Sequence, residues 1–164
     1  MPQAVVDELG DTEGLDAATE SALRTFLQNP QSGSRLYGYK WEEGSVAPWV
    51  PCEDDVLAAA FSYLQPAAKD LLADLGCGDG RVVIEAARSY GCRAEGIELD
   101  EECLARARAT LLTMPLELQV RVQLLHGNLF DHAAKWGEQH VEELPSLVVL
   151  YLLPATLAKL TSLL

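Results

Sequence analysis

Residues 71–80 read LLADLGCGDG, and RVVIEAARSY follows at positions 81–90. The first five residues form a short apolar run that predicts a buried strand, and the second segment has the spacing of a helix. Between them, Gly76, Gly78 and Gly80 let the backbone approach a ligand closely. A strand, a glycine loop and a helix in this order predict a ligand site at the carboxyl end of the strand.

Apolar runs alternate with amphipathic segments along the rest of the chain. The further strands are predicted at 93–99, 120–126 and 146–153. The helices are predicted at 53–65, at 100–114 with Asp100 as the N-cap, within 129–142, and from Pro154 onwards. Strands that alternate with helices at these lengths predict a parallel sheet with helices on both faces, which is a Rossmann-like α/β fold.

Composition divides the chain into three predicted regions. Residues 1–14 are expected to be a disordered acidic N-terminus, and residues 15–52 an N-terminal helix followed by an arm rich in aromatic residues and proline. Residues 53–164 are the predicted Rossmann-like domain.

The charge balance bears on partners and location. The 164 residues carry a formal net charge of −13, which argues against an extended electrostatic interface with nucleic acid or anionic lipid. The sequence shows neither a membrane-length apolar stretch nor a signal or transit peptide, so the cytoplasm is the predicted location. The spacing of its cysteines and histidines predicts no metal site and reduced thiols.

Carboxylates around the glycine loop indicate the charge of its ligand. Asp74 lies two positions before the first glycine, and Asp79 lies where a helix N-terminus would meet a pyrophosphate. Two carboxylates would repel a dinucleotide and attract a cation. S-adenosylmethionine carries an ammonium and a sulfonium and no phosphate, so it fits better than NAD or a flavin dinucleotide. Glu98, at the end of the second predicted strand, can accept hydrogen bonds from ribose hydroxyls or can cap the next helix.

Two motifs resemble a known superfamily. DLGCGDG (74–80) and GIELD (96–100) resemble the first two motifs of the class I S-adenosylmethionine-dependent methyltransferases. With PWVPCEDDV (48–56) and LVVLYLLP (147–154), they resemble more narrowly the lysine methyltransferases that modify the ATP synthase c-subunit and the adenine nucleotide translocase, and their bacterial relatives. That likeness leaves a mitochondrial location open.

The resemblance implies roles for individual residues. The positions that would hold the cofactor are Asp74, Gly76, Cys77 (through its backbone amide), Gly78, Glu98, Leu99, Asn128 and Leu129. Asn128 would meet the adenine amine where the family usually has Asp, although it could instead cap a helix. Trp49, Pro51 and Tyr151 would contact the substrate, and Tyr151 with Pro154 would form the catalytic motif. Trp49 could also serve packing alone, and Tyr151 could simply end a core strand.

The resemblance also implies that part of the fold is missing. A class I methyltransferase has seven strands, whereas this sequence predicts four before Leu164. The chain is therefore expected to be truncated after strand 4, or else a partner or second copy covers that edge. The implied activity is methylation of a protein lysine. A small-molecule or nucleic-acid methyltransferase and a non-catalytic cofactor-binding module remain alternatives.

Overall fold

The described residues of the computed structural model are 49–137, 140 and 144–161. The chain forms two compact units, one made of residues 1–50 with 152–162 and the other of residues 51–151 with 163–164. We call the second the α/β unit. The predicted acidic N-terminus, the N-terminal helix and most of the aromatic arm lie outside the described residues.

The α/β unit has four strands and five helices within its described residues. The strands are β1 (Leu71–Leu75), β2 (Arg93–Glu98), β3 (Val122–His126) and β4 (Leu147–Val149). The helices are α1 (Asp54–Leu64), α2 (Arg81–Tyr90), α3 (Glu101–Leu112), α4 (Leu116–Gln119) and α5 (Leu129–Trp136). In the other unit, α6 spans Pro154–Leu160, and its proline occupies the first turn, where a missing N–H costs no hydrogen bond.

The order of the strands confirms the predicted fold class. All pairings are parallel, and the order is β3-β2-β1-β4. The chain moves outward from β1 through β2 to β3 and then returns to the other side of β1. Because such crossovers are right-handed, the connections before and after this reversal lie on opposite faces. The reversal leaves a crevice at the carboxyl ends of β1 and β4, where ligands of such sheets bind.

A buried apolar core fixes β1 and α2 in place. Four of the five β1 residues are buried, as expected for a central parallel strand. The α2 helix buries one face against the sheet, and the rings of Phe61 and Tyr90 lie 5.3 Å apart. The buried residues of this core are Cys52, Leu57, Phe61, Leu72, Val82, Val83, Ile84, Ala86, Ala87, Cys92, Ala94 and Val122.

Most predicted elements are confirmed, and the predicted bounds of β3 and β4 need correction. β1 and α2 have the predicted bounds. β4 is shorter than predicted, because it pairs with β1 only over Leu147–Val149. β3 begins at Val122 rather than at Val120, which follows the unpredicted single turn α4 and is 76% exposed. An apolar residue extends a strand only where a neighbouring strand can pair with it.

Among the described residues, no helix has the length and hydrophobicity needed to cross a membrane. The cytoplasmic location remains a prediction. Within the same residues, β4 has no strand on its outer side. The partner or second copy that would cover this edge likewise remains a prediction.

Candidate cofactor site

The glycine loop folds back onto the end of β2. Gly76, Gly78 and Gly80 have φ values of 90°, 53° and 76°, a left-handed backbone that favours glycine. The N–H groups of Gly76 and Cys77 both donate to the carbonyl oxygen of Ile97, at 2.8 and 2.9 Å. The Cys77 amide therefore already has a partner within the protein. The expected role of Cys77 at the cofactor stays a prediction.

Gly96 on β2 is a site residue that the sequence interpretation missed. A Cβ at this position would lie 2.7 Å from Cys77 Sγ and 2.9 Å from Cys77 Cβ. The Cys77 side chain is buried against this glycine, which fixes the loop to the strand. A glycine in the interior of an apolar strand is the sequence signal for such a close approach.

The Glu98 carboxylate joins the loop to the end of β2. Its Oε2 accepts from the Gly78 N–H at 2.7 Å, and its Oε1 accepts from the N–H groups of Leu99 and Asp100 at 2.8 and 2.9 Å. Burial raises the pKa of Glu98, although these three hydrogen bonds oppose the rise. The carboxylate thus orders the loop, and Oε2 retains capacity for a ligand hydroxyl.

Asp74 is a buried carboxyl group to which no described residue donates a hydrogen bond. It is 3% exposed, and no group in residues 49–137 and 144–161 donates to it. Every fully enclosed side-chain polar atom in this part of the chain has a partner, so the Asp74 oxygens reach solvent. Burial, reinforced by the charges of Glu98 and Asp79, raises its pKa to about 7. A buried carboxylate without a partner is costly, which favours a cationic ligand at this position.

Asp79 does not play the part that its position in the sequence suggested. The Arg81 guanidinium donates to both its oxygens, with Nε 3.0 Å from Oδ1 and Nη2 2.7 Å from Oδ2. This ion pair offsets part of the Asp79 charge that was expected to repel a pyrophosphate, although that charge still raises the pKa of Asp74. The electrostatic preference for a cation therefore rests on Asp74 and Glu98.

Two predicted helix caps occur at the ends of β2 and β3. Asp100 accepts from the Cys103 N–H at 2.9 Å, which confirms it as the N-cap of α3. Asn128 Oδ1 accepts from the Phe130 N–H at 2.9 Å and caps α5, the alternative role considered for it. A carbonyl oxygen has two lone pairs, so this bond does not preclude one from an adenine amine. Leu129 is the half-buried first residue of α5, beside that oxygen.

The predicted substrate and catalytic residues fall in different parts of the chain. Pro51 and Tyr151 belong to the α/β unit, whereas Trp49 and Pro154 belong to the other unit. Tyr151 is 45% exposed and lies two residues beyond the end of β4, so it does not end a core strand. Burial of its phenol and the nearby Cys52 raise the pKa of Tyr151. The roles of these four residues remain predictions.

Metal ligands and thiols add no second site to this arrangement. In the described part of the chain, no three His, Cys, Asp or Glu side chains converge as metal ligands would. The four cysteines are buried free thiols. The arrangement offers a buried carboxylate, a second carboxylate with spare acceptor capacity and a loop with three glycines, which together suit a cation bearing hydroxyl groups.

Comparison with known proteins identifies the family. The model of a methyltransferase domain matches residues 72–142. The crystal structure of an RNA methyltransferase from Salinibacter ruber, in complex with S-adenosyl-L-homocysteine, is 33% identical, with a TM-score of 0.58 and coverage of 69% of this chain and 67% of that one. The chain belongs to the class I S-adenosylmethionine-dependent methyltransferases. The cofactor predicted from the loop, S-adenosylmethionine, is thereby confirmed.

Two further relatives show how far the likeness extends. A protein-lysine N-methyltransferase from Saccharolobus islandicus is 31% identical over 85 residues, which are 51% of this chain and 52% of that protein. The chain thus spans about half the length of this curated relative. A methyltransferase from Thiobacillus denitrificans shares the fold, at 22% identity and a TM-score of 0.51, over 68% of this chain and 44% of that one.

Proposed function

We propose that this methyltransferase chain holds S-adenosylmethionine at the carboxyl ends of β1 and β2 and serves methyl transfer to a lysine side chain of a protein. The observation that carries the proposal is Asp74, which is 3% exposed and has no donor among the described residues. An ammonium group would supply the missing partner, and S-adenosylmethionine has one. The narrower likeness to the c-subunit and translocase methyltransferases is part of this proposal.

The proposed cofactor contacts follow from the hydrogen-bonding capacity left in the site. Asp74 would take the ammonium, and Glu98 Oε2, which holds one hydrogen bond here, would take the ribose hydroxyls. Asn128 would accept from the adenine amine while Leu129 flanks the ring. Since the amides of Gly76, Cys77 and Gly78 are already bonded, these residues would contribute a surface without bulky exposed side chains.

On the acceptor side, the proposed residues would orient and dehydrate an amine. When bound, S-adenosylmethionine supplies an activated methyl group, and a lysine needs only to lose its proton and align with it. A raised pKa keeps the Tyr151 phenol protonated at neutral pH, so it could hold a neutral amine by a hydrogen bond. Within the α/β unit, Pro51 would wall the approach, and exclusion of water would lower the pKa of the lysine.

A protein lysine is the preferred acceptor, and RNA is the second candidate. The Saccharolobus relative is named a protein-lysine methyltransferase, whereas the Salinibacter relative is named an RNA methyltransferase. The net charge of −13 favours a cationic acceptor over a polyanion. A non-catalytic module that binds the cofactor is the remaining alternative.

Calorimetry followed by methyl transfer tests the proposal in two stages. We expect saturable binding of S-adenosylhomocysteine, no binding of NAD, and weaker binding after Asp74→Asn. Transfer of labelled methyl groups from S-adenosylmethionine to lysine-rich peptides, with RNA and arginine-substituted peptides in parallel, then identifies the acceptor. Binding without any transfer would favour the non-catalytic module. A folded chain that binds neither compound would contradict the proposed site.

A further inference from the structure

Arg81 connects the glycine loop to the segment that precedes α1. Two of its guanidinium nitrogens bind Asp79, and the third, Nη1, donates to the carbonyl oxygen of Cys52 at 2.9 Å. The planar guanidinium group of arginine has several N–H donors, so one side chain can donate to both partners at once. Residue 52 is therefore tied to the loop, although 29 positions of sequence separate it from Arg81.

Cys52 is a buried residue that interacts electrostatically with groups in both proposed halves of the site. Its side chain is 8% exposed, and burial and the charge of Asp74 raise the pKa of its thiol. Cys52 in turn contributes to the raised pKa of Tyr151. The segment is therefore close to the carboxylate proposed for the cofactor and to the phenol proposed for the acceptor.

We propose that Arg81 is a positioning residue that fixes Cys52 against the glycine loop and offsets part of the Asp79 charge near Asp74. The proposal rests on the proposed function, since it assigns Arg81 a role in setting both the shape and the charge of that cofactor site. Arg81 itself need not touch the cofactor. It acts through its two partners, Asp79 and Cys52.

The positioning role can be tested without any cofactor. Arg81→Met removes both contacts, whereas Asp79→Asn removes the ion pair and keeps the bond to Cys52. Arg88→Met is the matched control, because Arg88 lies on the same helix in a more exposed pair with Glu85. Arg81→Met loses a charge-assisted hydrogen bond to a carbonyl, so we expect maleimide to label Cys52 about tenfold faster. The rates are compared per thiolate, with the thiol pKa measured in each variant, because the Arg81 charge lowers the pKa of Cys52.

Mass spectrometry of the labelled protein gives the rate at each thiol separately. Buried Cys92 serves as the internal control, and its labelling should stay unchanged. Asp79→Asn and Arg88→Met should leave Cys52 protected. Unchanged Cys52 labelling in Arg81→Met would overturn the proposal. So would an equal rise at Cys92, since that would mean general loss of stability.

The electrostatic role is tested by the pH at which S-adenosylhomocysteine affinity reaches half its maximum. Without Arg81 the uncompensated Asp79 disfavours the charged form of Asp74, so this midpoint should rise in Arg81→Met. It should fall in Asp79→Asn and return towards the wild-type value in the double variant. A structural role alone would not produce opposite shifts. Midpoints that do not move would refute the proposal that Arg81 offsets the Asp79 charge. If wild-type protein binds no cofactor, the proposed function fails, while the labelling experiment still tests the connection to Cys52.

Discussion

Asp74 should make cofactor binding depend on pH near neutrality. Its pKa is about 7, so at pH 6 about nine tenths of the unliganded protein carries the neutral acid. If the ligand ammonium requires the carboxylate, affinity for S-adenosylhomocysteine rises about tenfold between pH 6 and pH 8 and then levels off. Asp74→Asn should bind weakly at pH 8 and lose this dependence.

The same group should have the opposite effect on the stability of the unliganded protein. Its folded-state pKa of about 7 lies above its ordinary value of 3.8, so the folded state holds the proton more tightly. The contribution of Asp74 to the free energy of unfolding is therefore greatest below about pH 4. It falls by up to about 4 kcal/mol as the pH rises to 7. At pH 8, Asp74→Asn should raise the free energy of unfolding of the unliganded protein while it weakens binding.

Calorimetry at pH 6, 7 and 8, in buffers of different ionisation enthalpy, measures both the affinity and the protons released on binding. We expect release of about half a proton at pH 7 and less than a tenth at pH 8. Glu117→Gln removes one exposed negative charge from α4 and is the matched control. An affinity that is flat from pH 6 to pH 8 in the wild type, or tight pH-independent binding by Asp74→Asn, would refute the reasoning.

Two substitutions test the scaffold of the site. Gly96→Ala would place a methyl group 2.7 Å from Cys77 Sγ, so we expect a loss of about 1–3 kcal/mol in urea unfolding and weaker binding of S-adenosylhomocysteine. Cys77→Gly should restore part of both losses in the double variant, and the absence of any rescue would show that the contact is not the cause. Asp100→Ala removes the bond to the Cys103 N–H and should cost about 1 kcal/mol, while Asp100→Asn keeps most of it. Equal losses in the two Asp100 variants would argue against a capping role.

The sequence predicted the fold well because its signals are local. β1 and α2 have strong apolar patterns and a glycine boundary between them, so their bounds match the prediction. The predicted end of β4 is wrong for a non-local reason. Its apolar run continues to Leu153, but pairing with β1 ends at Val149. Apolarity marks where a strand could form, whereas pairing with a neighbouring strand decides where it stops.

The candidate site was predicted in its residue types and less well in its contacts. Asp74 could be selected because a carboxylate in an apolar strand calls for a partner. Glu98 could be selected because an acidic residue at the end of the second strand can accept hydrogen bonds from ribose hydroxyls. The hydrogen-bond partners of these groups could not be predicted from the sequence. The loop amides donate to Ile97 and Glu98, 20 or more positions away, and this depends on how the loop turns rather than on its glycine spacing.

Asp79 shows why an argument about charge from the sequence also needs the contacts of the side chain in the folded protein. By position alone it seemed equivalent to Asp74, since both flank the same loop. Arg81 offsets part of one charge and leaves the other carboxylate buried with a pKa of about 7. A carboxylate already bonded to an arginine gains little from a cationic ligand, whereas one held without a partner gains the whole interaction. The discrimination between a cation and a pyrophosphate therefore falls to Asp74 and Glu98, and substitution of Asp79 should change the pH dependence of binding more than the choice of ligand.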